Sequence, residues 1–397
     1  MEKEKKNKGL RNIVFLGLIS CFADISSEMV YPIIPLYLTA VLGTTPANVG
    51  IIEGIAESLA SLVKVFSGYI SDKYQNKKKL AFCGYCTGFI YKIALLVSTS
   101  WVGILVARVI DRFGKGIRTA PRDVMVAEST EDNLGTSFGI HKALDMLGSA
   151  IGILLSLLIL KYFGDSISSY KKIFIVSIIP IVIALFFFIF VKENKNRVQT
   201  KKENIFKNVD KLDNQLKLYL FVAVLFTLGN SSNSFLLLRA QDVGYTSTHV
   251  ILLYFIYNIV CSLLSIPMGK KSDKKGRKGI LVKGYLLFSL VYLLFGLGSN
   301  KISILLAFVL YGFYTAMIAG VEKAFISEIS PKYLKGTMLG LHGTLVGIAL
   351  LFSSVIAGFL YEYVGSYAPF LLGASLSFIT ALILQFGLKE QKMDLVK

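Results

Sequence analysis

The amino-acid sequence predicts an all-α integral membrane protein, with twelve transmembrane helices in two six-helix bundles related by a pseudo-twofold axis. Three observations lead to this prediction. Of the 397 residues, 54% are hydrophobic and only 17% are charged, whereas a soluble domain carries about 25% charged residues. The apolar residues fall into twelve runs that are long enough to cross a bilayer. Short motifs in the first half of the chain also recur in the second half.

Each predicted span is an apolar run bounded by charged residues or by glycine and proline. A bilayer core of about 30 Å requires about 20 helical residues, so twelve spans use about two thirds of the chain. The remainder suffices only for short loops, which excludes a large domain outside the membrane. In chain order, the spans are 12–40, 47–71, 80–99, 101–124, 135–160, 171–191, 216–238, 248–269, 280–298, 302–326, 337–362 and 367–388.

Two features of the chain organise these spans. Pro32 and Pro35 lie within span 1, so we expect its outer end to be kinked. A polar, basic segment separates spans 6 and 7 and is expected to be a cytoplasmic loop. The predicted domains are therefore a first bundle over 1–191, a central loop over 192–215 and a second bundle over 216–397.

The distribution of basic residues predicts the orientation. The net charge of +18 would suit a nucleic-acid partner, but the basic residues stand in short segments between apolar runs. Loops on the N-terminal side hold about 28 Lys and Arg, and the opposite loops hold about five. Those five are Lys161, Lys171, Lys172, Arg239 and Lys301. Because positive charge is retained inside, both termini are expected in the cytoplasm, with the chain in the plasma membrane and no nucleic acid bound.

Two motifs recur 201 positions along the chain, as expected of two halves with the same orientation. Parallel repeats of this kind imply a central cavity between the halves. The recurring residues are Gly68, Asp72 and Lys73 with Gly269, Asp273 and Lys274, and Gly135, Thr136, Gly139 and His141 with Gly336, Thr337, Gly340 and His342.

Charged side chains inside the spans are concentrated in the first half. Each costs at least about 2.5–3.5 kcal/mol in a membrane and therefore needs a reason. At the repeat-equivalent positions Asp24 is replaced by Gly229 and Glu28 by Asn233, so the repeat itself does not require them. The candidates for a substrate or proton pathway are Asp24, Glu28, Glu53, Glu57, Arg108, Asp111, Arg112 and Asp145.

The spacing of these residues places them on single helix faces. Asp24 and Glu28 are four residues apart, as are Glu53 and Glu57, and span 4 carries a stripe from Arg108 to Lys115. From the helical rise, Glu53 lies roughly 9 Å and Arg108 roughly 10 Å below the outer surface. We therefore expect the acids of spans 1 and 2 to share one layer with the arginines of span 4.

Two interpretations of this layer remain open. The charges could simply neutralise one another, since buried ion pairs need not stabilise a fold relative to apolar packing. Alternatively, a carboxylate beside an arginine could exchange that partner for a proton or a substrate, which would couple the two.

The sequence gives no indication of an enzyme. The segment GKGIR, at 114–118, lacks the spacing of a phosphate-binding loop, and no nucleophile–base pattern or cofactor fingerprint occurs. Cys83 and Cys86 form a single Cys-x-x-Cys without a second pair, so we expect no metal site and no cofactor.

The repeated motif resembles a signature of the major facilitator superfamily of secondary transporters, Gly-x-x-x-Asp-Arg/Lys-x-Gly-Arg/Lys-Arg/Lys. The resemblance extends over essentially the whole chain. The first copy has Gln75 where the second glycine belongs. In span 4, RVIDRFGKGIRTAPRD resembles the family's Arg-x-x-x-Gly pattern, with either Arg108 or Arg112 as the arginine. The second copy of the signature fits at Gly269, Asp273, Lys274, Gly276, Arg277 and Lys278.

The resemblance implies a transporter that works by alternating access. Two bundles would rock about a central site lined by spans 1 and 4. Asp72 would reach the start of span 11 near Gly336, and Asp273 the start of span 5 near Gly135, closing the cytoplasmic side.

Without a nucleotide motif, the energy would come from a gradient, and the buried acids favour protons as the coupling ion. The expected partners are a small organic ion or drug-like solute, imported or exported, and the lipid bilayer, with the monomer as the functional unit. A non-transporting sensor or an embedded enzyme on the same scaffold are the alternatives.

Overall fold

The computed structural model describes residues 2–74, 76–129, 134–164, 166–193, 213–318, 321–330 and 335–388. Within these ranges, the structure describes only the backbone, and not the side chains, of residues 2–8, 65, 68–74, 127, 134–139, 142, 265–266, 269–270, 273–275, 323–324, 327–328, 335–337 and 339.

All regular secondary structure in these ranges is helical. One short 3₁₀ helix, Phe188–Phe190, follows α8. The α-helices are α1 (Glu2–Val30), α2 (Ile33–Ala40), α3 (Pro46–Tyr74), α4 (Lys77–Val97), α5 (Trp101–Glu128), α6 (Leu134–Phe163), α7 (Ile167–Val176), α8 (Ile178–Phe187), α9 (Asn214–Gly229), α10 (Ser234–Asp242), α11 (Ser247–Lys275), α12 (Arg277–Leu297), α13 (Lys301–Ile318), α14 (Val321–Ile329), α15 (Lys335–Tyr363) and α16 (Ala368–Gly387).

Every predicted span coincides with one helix or with two consecutive helices, so the prediction of twelve spans is confirmed. The limits differ by a few residues: span 4, for example, continues to Glu128, beyond the predicted end at 124. Arg239, which we predicted to lie in an outer loop, is part of α10 because that helix extends to Asp242.

Three spans are interrupted within the described residues, and one of these interruptions was predicted. The kink in span 1 falls between Val30 and Ile33, where Pro32 precedes the first turn of α2. Span 6 breaks at Ser177, because Pro180 lacks the N–H that would continue the backbone ladder. The Ser26 hydroxyl donates to the Ser177 carbonyl over 2.6 Å and satisfies an acceptor at this break. Span 7 is interrupted between α9 and α10.

Among the described residues, ten helical segments are long and apolar enough to cross a membrane. The two predicted spans that are not among them are α3 and α5, which carry most of the candidate charges. Several of these charges, Glu53, Arg108, Asp111 and Arg112, are buried inside the protein, as is usual for charged side chains in a membrane.

The chain divides into two compact units: Met1–Val198 with Thr246–Phe255, and Gln199–Tyr245 with Ile256–Lys397. Most of the predicted central loop, residues 194–212, lies outside the described residues. The exact division at 191 and 216 therefore stays a prediction.

In the first unit, α1 packs on α6, and α5 lies between α3 and α4. Small residues permit these close approaches, as is common between transmembrane helices. Gly148 and Gly152 of α6 contact the backbone of α1 at Cys21 and Ile25, where any side chain would collide with the main chain.

The second unit is organised around α12, which packs on α13 and α16, while α9 packs on α15 and α16. Aromatic rings fill its core: Phe288 stacks on Tyr292 at 3.9 Å between centroids, and Phe226 stacks on Tyr285 at 4.2 Å. This core is less polar than that of the first unit.

Candidate functional site

The site is a layer of charged side chains within the first unit, where α3 and α5 face each other. Arg108 of α5 and Glu53 of α3 form its most deeply buried pair, with side-chain exposures of 2% and 1%. Nη2 of Arg108 donates to both carboxylate oxygens of Glu53, each over 2.7 Å. The sequence predicted that these two residues share a layer, and the structure brings them into direct contact.

One helical turn further along, the same two helices form a second pair. Nη2 of Arg112 lies 2.7 Å from Oε1 of Glu57, and the Glu57 side chain is 31% exposed. Asp111 lies between the two arginines, 3.9 Å from Arg108 and 3.8 Å from Arg112. The two pairs and Asp111 therefore form one connected cluster.

Glycines on α5 allow the neighbouring helices to approach closely enough to form this cluster. A methyl group on Gly116 would lie 2.7 Å from Cβ of Val63 on α3, and the Ser67 hydroxyl donates to the Gly116 carbonyl over 2.8 Å. On the opposite side, Gly114 contacts Thr87 and Gly84 of α4. Because both faces of α5 pack tightly, its arginines are held at a fixed depth.

Tyr31 completes the cluster and was missed by the sequence analysis. It lies in the kink between α1 and α2, with its ring centroid 5.3 Å from Cζ of Arg108 and 5.7 Å from Cζ of Arg112. Cations over an aromatic face are stabilised by the ring quadrupole. The sequence contained a pattern that could have indicated Tyr31. Asp24, Glu28 and Tyr31 follow the i, i+4, i+7 spacing of one helix face.

Two further ionisable groups, Glu28 and Lys92, lie beside the cluster. Oε2 of Glu28 and Nζ of Lys92 are buried and form no hydrogen bond within the described part of the chain. Lys92 is 1% exposed, and its Nζ lies 4.3 Å from the ring centroid of Tyr91. Both groups are within electrostatic range of Arg108, so they belong to the same charged layer.

Asp24 belongs to a second group of acids and lies nearer the middle of α1 than Glu28 does. Its electrostatic neighbours are Asp145 of α6, Lys115 and Arg118 of α5, and Glu28. No cation of the described residues comes within 4 Å of it. Asp145 lies 3.8 Å from His141 on the same helix. The structure thus places Asp24 near another carboxylate rather than in an arginine pair.

The remaining basic residues of α5 have separate surroundings. Arg118 lies 4.4 Å from the ring centroid of Tyr85. Arg122 pairs with Asp123 at 2.9 Å and donates to the Ser20 hydroxyl over 2.8 Å. Lys115 is exposed. These residues continue the α5 stripe away from the two buried pairs.

Most of the predicted gating residues have side chains outside the described part of the chain. The side chains of Asp72, Lys73, Asp273 and Lys274 lie outside the described residues, as do those of the helix starts that they were expected to reach, and so do Gly68 and Gly269. The described members are Gly276 and Arg277, at the start of α12. Gly276 has φ +87°, a conformation that favours glycine, which explains its place in the motif. Gln75, at the matching position of the first copy, is outside the described residues.

The second unit has few charges and many tyrosines, which the sequence analysis did not recognise as a cluster. The Tyr285 hydroxyl donates to Glu322 over 3.0 Å, and the Tyr311 hydroxyl donates to Asn233 over 2.8 Å. Across the part of the chain that the structure describes, no three metal-ligating side chains come together.

Comparisons with known proteins agree with this architecture. The model of the Major Facilitator Superfamily matches residues 16–238 and 218–395. An uncharacterized MFS-type transporter of Methanocaldococcus jannaschii, MJ1317, is 37% identical over 382 residues, which cover 95% of this chain and 94% of that protein.

Solved structures share the fold at low sequence identity. A crystal structure of a mutant of the nucleoside transporter NupG gives a TM-score of 0.81 at 13% identity, covering 95% of this chain and all of that one. A POT family transporter in complex with 5-aminolevulinic acid gives 0.78 at 15% identity, covering 94% and 95%.

The family and these relatives are transporters rather than enzymes, and the helices are those of a multi-pass membrane protein. Helix architecture, repeated motif and family match lead to one conclusion: this chain belongs to the major facilitator superfamily.

Proposed function

We propose that the chain is a secondary active transporter that couples movement of a small solute to protons by alternating access. The observation that carries this proposal is the pair of buried carboxylate–arginine contacts, Glu53–Arg108 and Glu57–Arg112, joined through Asp111. Such groups are costly in a membrane and usually line ion or substrate pathways.

The chemistry of the pairs suits coupling. Removing one member of a buried pair leaves the other uncompensated, at a cost of about 3–5 kcal/mol. If Glu57 and Arg112 separate, a proton can neutralise Glu57, and a negatively charged group of the solute can compensate Arg112. Each occupant removes the cost of one charge that is left buried. Since each occupant changes the free energy of the other, binding of one alters the affinity for the other.

Asp24 is the proposed coupling acid. It lies near Asp145 and has no cation within 4 Å among the described side chains. Two neighbouring carboxylates repel each other when both are ionised, and one proton relieves that repulsion. Glu28 and Glu57 are the alternative sites for the proton.

The proposed orientation places both termini in the cytoplasm. It is supported by the excess of Lys and Arg, about 28 against about five, in the loops on the N-terminal side. Arg239 lies in α10, where it donates to the carbonyls of Phe295, Gly296 and Gly298.

The solute is proposed to be a small organic ion or a drug-like molecule, carried by a monomer. Near the middle of the spans of the first unit, acids and bases roughly cancel, so charge alone favours neither a cation nor an anion. Whether the solute is imported or exported depends on the side of the membrane from which it binds while protons flow inward.

The decisive experiment has two stages. A thermal-shift screen of small solutes on the purified protein identifies a ligand, and vesicles containing only this protein are then tested for its accumulation with and without an imposed pH gradient. We expect gradient-dependent accumulation that an uncoupler abolishes. Binding without any flux would favour a sensor, and flux that ignores the pH gradient would overturn proton coupling.

A further inference from the structure

A groove lies on the surface of the first unit, beside the break in span 6. It has a cavity volume of about 200 Å³ and is lined by side chains of α1, α6, α7 and α8. Every lining residue is apolar, so the groove offers no side-chain hydrogen bond to an occupant. Among them are Ile25 and Met29 of α1, Leu155 of α6, Val176 of α7, and Ile179 and Ile183 of α8.

The backbone at the break adds no polar group to this lining. The Ser177 hydroxyl donates to the Phe174 carbonyl over 2.8 Å, and the Ser177 N–H donates to the Ile173 carbonyl over 2.9 Å. The Ser177 carbonyl accepts from the Ser26 hydroxyl. Because the polar groups of Ser177 are paired within the protein, an ordered water or a polar solute would find no partner there.

The groove opens toward the acyl chains of the bilayer. Exposed apolar side chains follow one face of span 6, at positions i, i+4, i+7 and i+11, which in a multi-pass membrane protein is the face in contact with lipid. Ile179 lines the groove and also belongs to this face. The chemistry of the groove therefore suits an acyl chain. The residues of the face are Ile175, Ile179, Val182 and Phe186.

Three lysines lie at one end of the same two spans. Because α6 ends at Phe163 and α7 begins at Ile167, Lys161, Lys171 and Lys172 lie on the same side of the membrane, opposite the termini. Basic residues are disfavoured on that side. Three of the five that the sequence assigns to it nevertheless stand in this one connection.

The lysines are available to a headgroup at the membrane surface. Lys161 and Lys171 are exposed, and Nζ of Lys172 lies 3.6 Å from the ring centroid of Phe163. The connection also contains one acid, Asp165, which lies outside the described residues, so three positive charges and one negative charge leave it with a net charge of +2. This end of the groove is therefore complementary to an anion.

The distance between the lysines and the groove matches one leaflet of a membrane. From the helical rise, Lys172 lies about 6 Å from Val176 and about 16 Å from Ile183 along span 6. Lys161 lies about 9 Å from Leu155 along span 5. Half of a bilayer core of about 30 Å is about 15 Å. A lipid with its headgroup at the lysines would therefore extend a chain through the groove to the middle of the membrane.

We propose that the groove and the three lysines form a binding site for an anionic phospholipid of the leaflet opposite the termini. The lipid phosphate contacts Lys161, Lys171 and Lys172, and one apolar chain lies in the groove. Lysine binds phosphate as a point charge, and basic pockets between transmembrane helices hold anionic headgroups in this way. The proposal goes beyond the proposed function and depends neither on the transported solute nor on proton coupling.

The test measures lipid binding to the purified full-length protein in a neutral detergent. Phosphatidylglycerol and phosphatidylcholine with identical chains are titrated separately, bound lipid is counted by native mass spectrometry, and the melting temperature is recorded in parallel. Inorganic phosphate is the third probe. The lysine variant is Lys161→Gln/Lys171→Gln/Lys172→Gln. Its control is Lys301→Gln, because Lys301 is an exposed lysine assigned to the same side but located in the second unit.

Two further variants complete the set. Ile179→Trp places a large ring in the lining of the groove, and Val182→Trp is its control, because Val182 is exposed on the same helix and does not line the groove. The double variant Lys161→Gln/Lys171→Gln leaves the contact between Lys172 and Phe163 intact. It therefore tests the headgroup contact even if the triple variant is less stable.

We expect the wild type to bind phosphatidylglycerol more tightly than phosphatidylcholine by more than about tenfold, since each lysine contributes about fivefold. The double variant should lose most of this preference, the triple variant should lose all of it, and Lys301→Gln should retain it. Ile179→Trp should weaken the binding of both lipids, because both place a chain in the groove. Val182→Trp should weaken neither.

Four results would overturn the proposal. They are equal binding of both lipids by the wild type, a full preference for phosphatidylglycerol in the lysine variants, equal lipid binding by the two tryptophan variants, and a rise in melting temperature with inorganic phosphate that equals the rise with phosphatidylglycerol. The last result would assign the lysines to a free anion. None of these measurements uses a gradient or a transported solute, so failure here leaves the proposed function untouched.

Discussion

Arg108 holds Glu53 through a single nitrogen atom: Nη2 lies 2.7 Å from both carboxylate oxygens, while Nη1 is 3.9 Å from Asp111. Nε of Arg108 is buried without a hydrogen-bond partner among the described residues. The guanidinium therefore uses only part of its donor capacity on Glu53. Asp111 lies beside Nη1 as a second carboxylate partner of the same guanidinium.

The first prediction concerns the two arginine pairs. Glu53→Gln should destabilise the protein by about 3–5 kcal/mol, because Arg108 is left buried without its partner. Glu57→Gln should cost less, since the Glu57 side chain is 31% exposed. Denaturation of the purified variants in detergent gives both values, and equal losses would contradict the difference in burial.

The second prediction separates neutralisation from transport. In the double variant Glu57→Gln/Arg112→Gln, stability should return to near the wild-type value, because replacing both members of a buried pair can be nearly neutral. Gradient-driven uptake should remain lost, because the exchangeable charge is gone. Arg112→Lys, which keeps the charge without the planar fork, is the control. A stable and fully active double variant would reduce the pair to a structural role.

The third prediction concerns Asp24. Asp24→Asn should abolish accumulation driven by a pH gradient and retain exchange of labelled solute across the membrane, since exchange needs no net proton movement. Asp123→Asn is the matched control, because Asp123 is already paired with Arg122 at 2.9 Å. Normal gradient-driven accumulation by the Asp24→Asn protein would remove Asp24 from the coupling mechanism.

The fourth prediction tests the ring of Tyr31. Tyr31→Phe should retain stability and transport, because the interaction with Arg108 and Arg112 depends on the aromatic face. Tyr31→Leu should lose about 0.5–2 kcal/mol of stability, the range of one cation–π contact. Equal melting temperatures of Tyr31→Phe and Tyr31→Leu in thermal denaturation would show that the aromatic face contributes nothing.

The fifth prediction concerns the repeated loop motif. Asp72→Asn should slow transport while the amount of folded protein stays near normal, and Asp273→Asn should act in the same direction. The control is Asp213→Asn, an exposed acid that forms no side-chain cap on α9. Uptake rates normalised to folded protein provide the measurement, and wild-type rates for both motif variants would exclude a gating role.

Much of the fold could be predicted because membrane helices leave a simple pattern in the sequence. Apolar runs gave all twelve spans, and the proline pair in span 1 indicated the kink at Pro32. The breaks at Ser177 and after Gly229 were missed, since a single proline or a run of small polar residues is tolerated in many transmembrane helices.

The candidate site was predictable in part. The helical rise predicted that the acids of spans 1 and 2 share one layer with the arginines of span 4, and the structure pairs Glu53 with Arg108 and Glu57 with Arg112. The spacing of residues along one helix does not give the rotation of that helix relative to its neighbours, however. The sequence therefore did not show that Asp24 lies outside the two arginine pairs. Tyr31 was missed because tyrosine is common at membrane interfaces and its contact depends on the kink beside it.

The polarity of α3 and α5 has a consequence for biogenesis. A charged residue near a helix centre opposes release from the translocon into lipid by about 2.5–3.5 kcal/mol. The first of these helices, Pro46–Tyr74, leaves the ribosome before its partner, Trp101–Glu128, has been made. We therefore expect α3 to remain beside the translocon until α5 arrives to neutralise it. Assembly of the first unit would then depend on the order of synthesis, and separating the two helices by a long insertion should lower the yield of inserted protein.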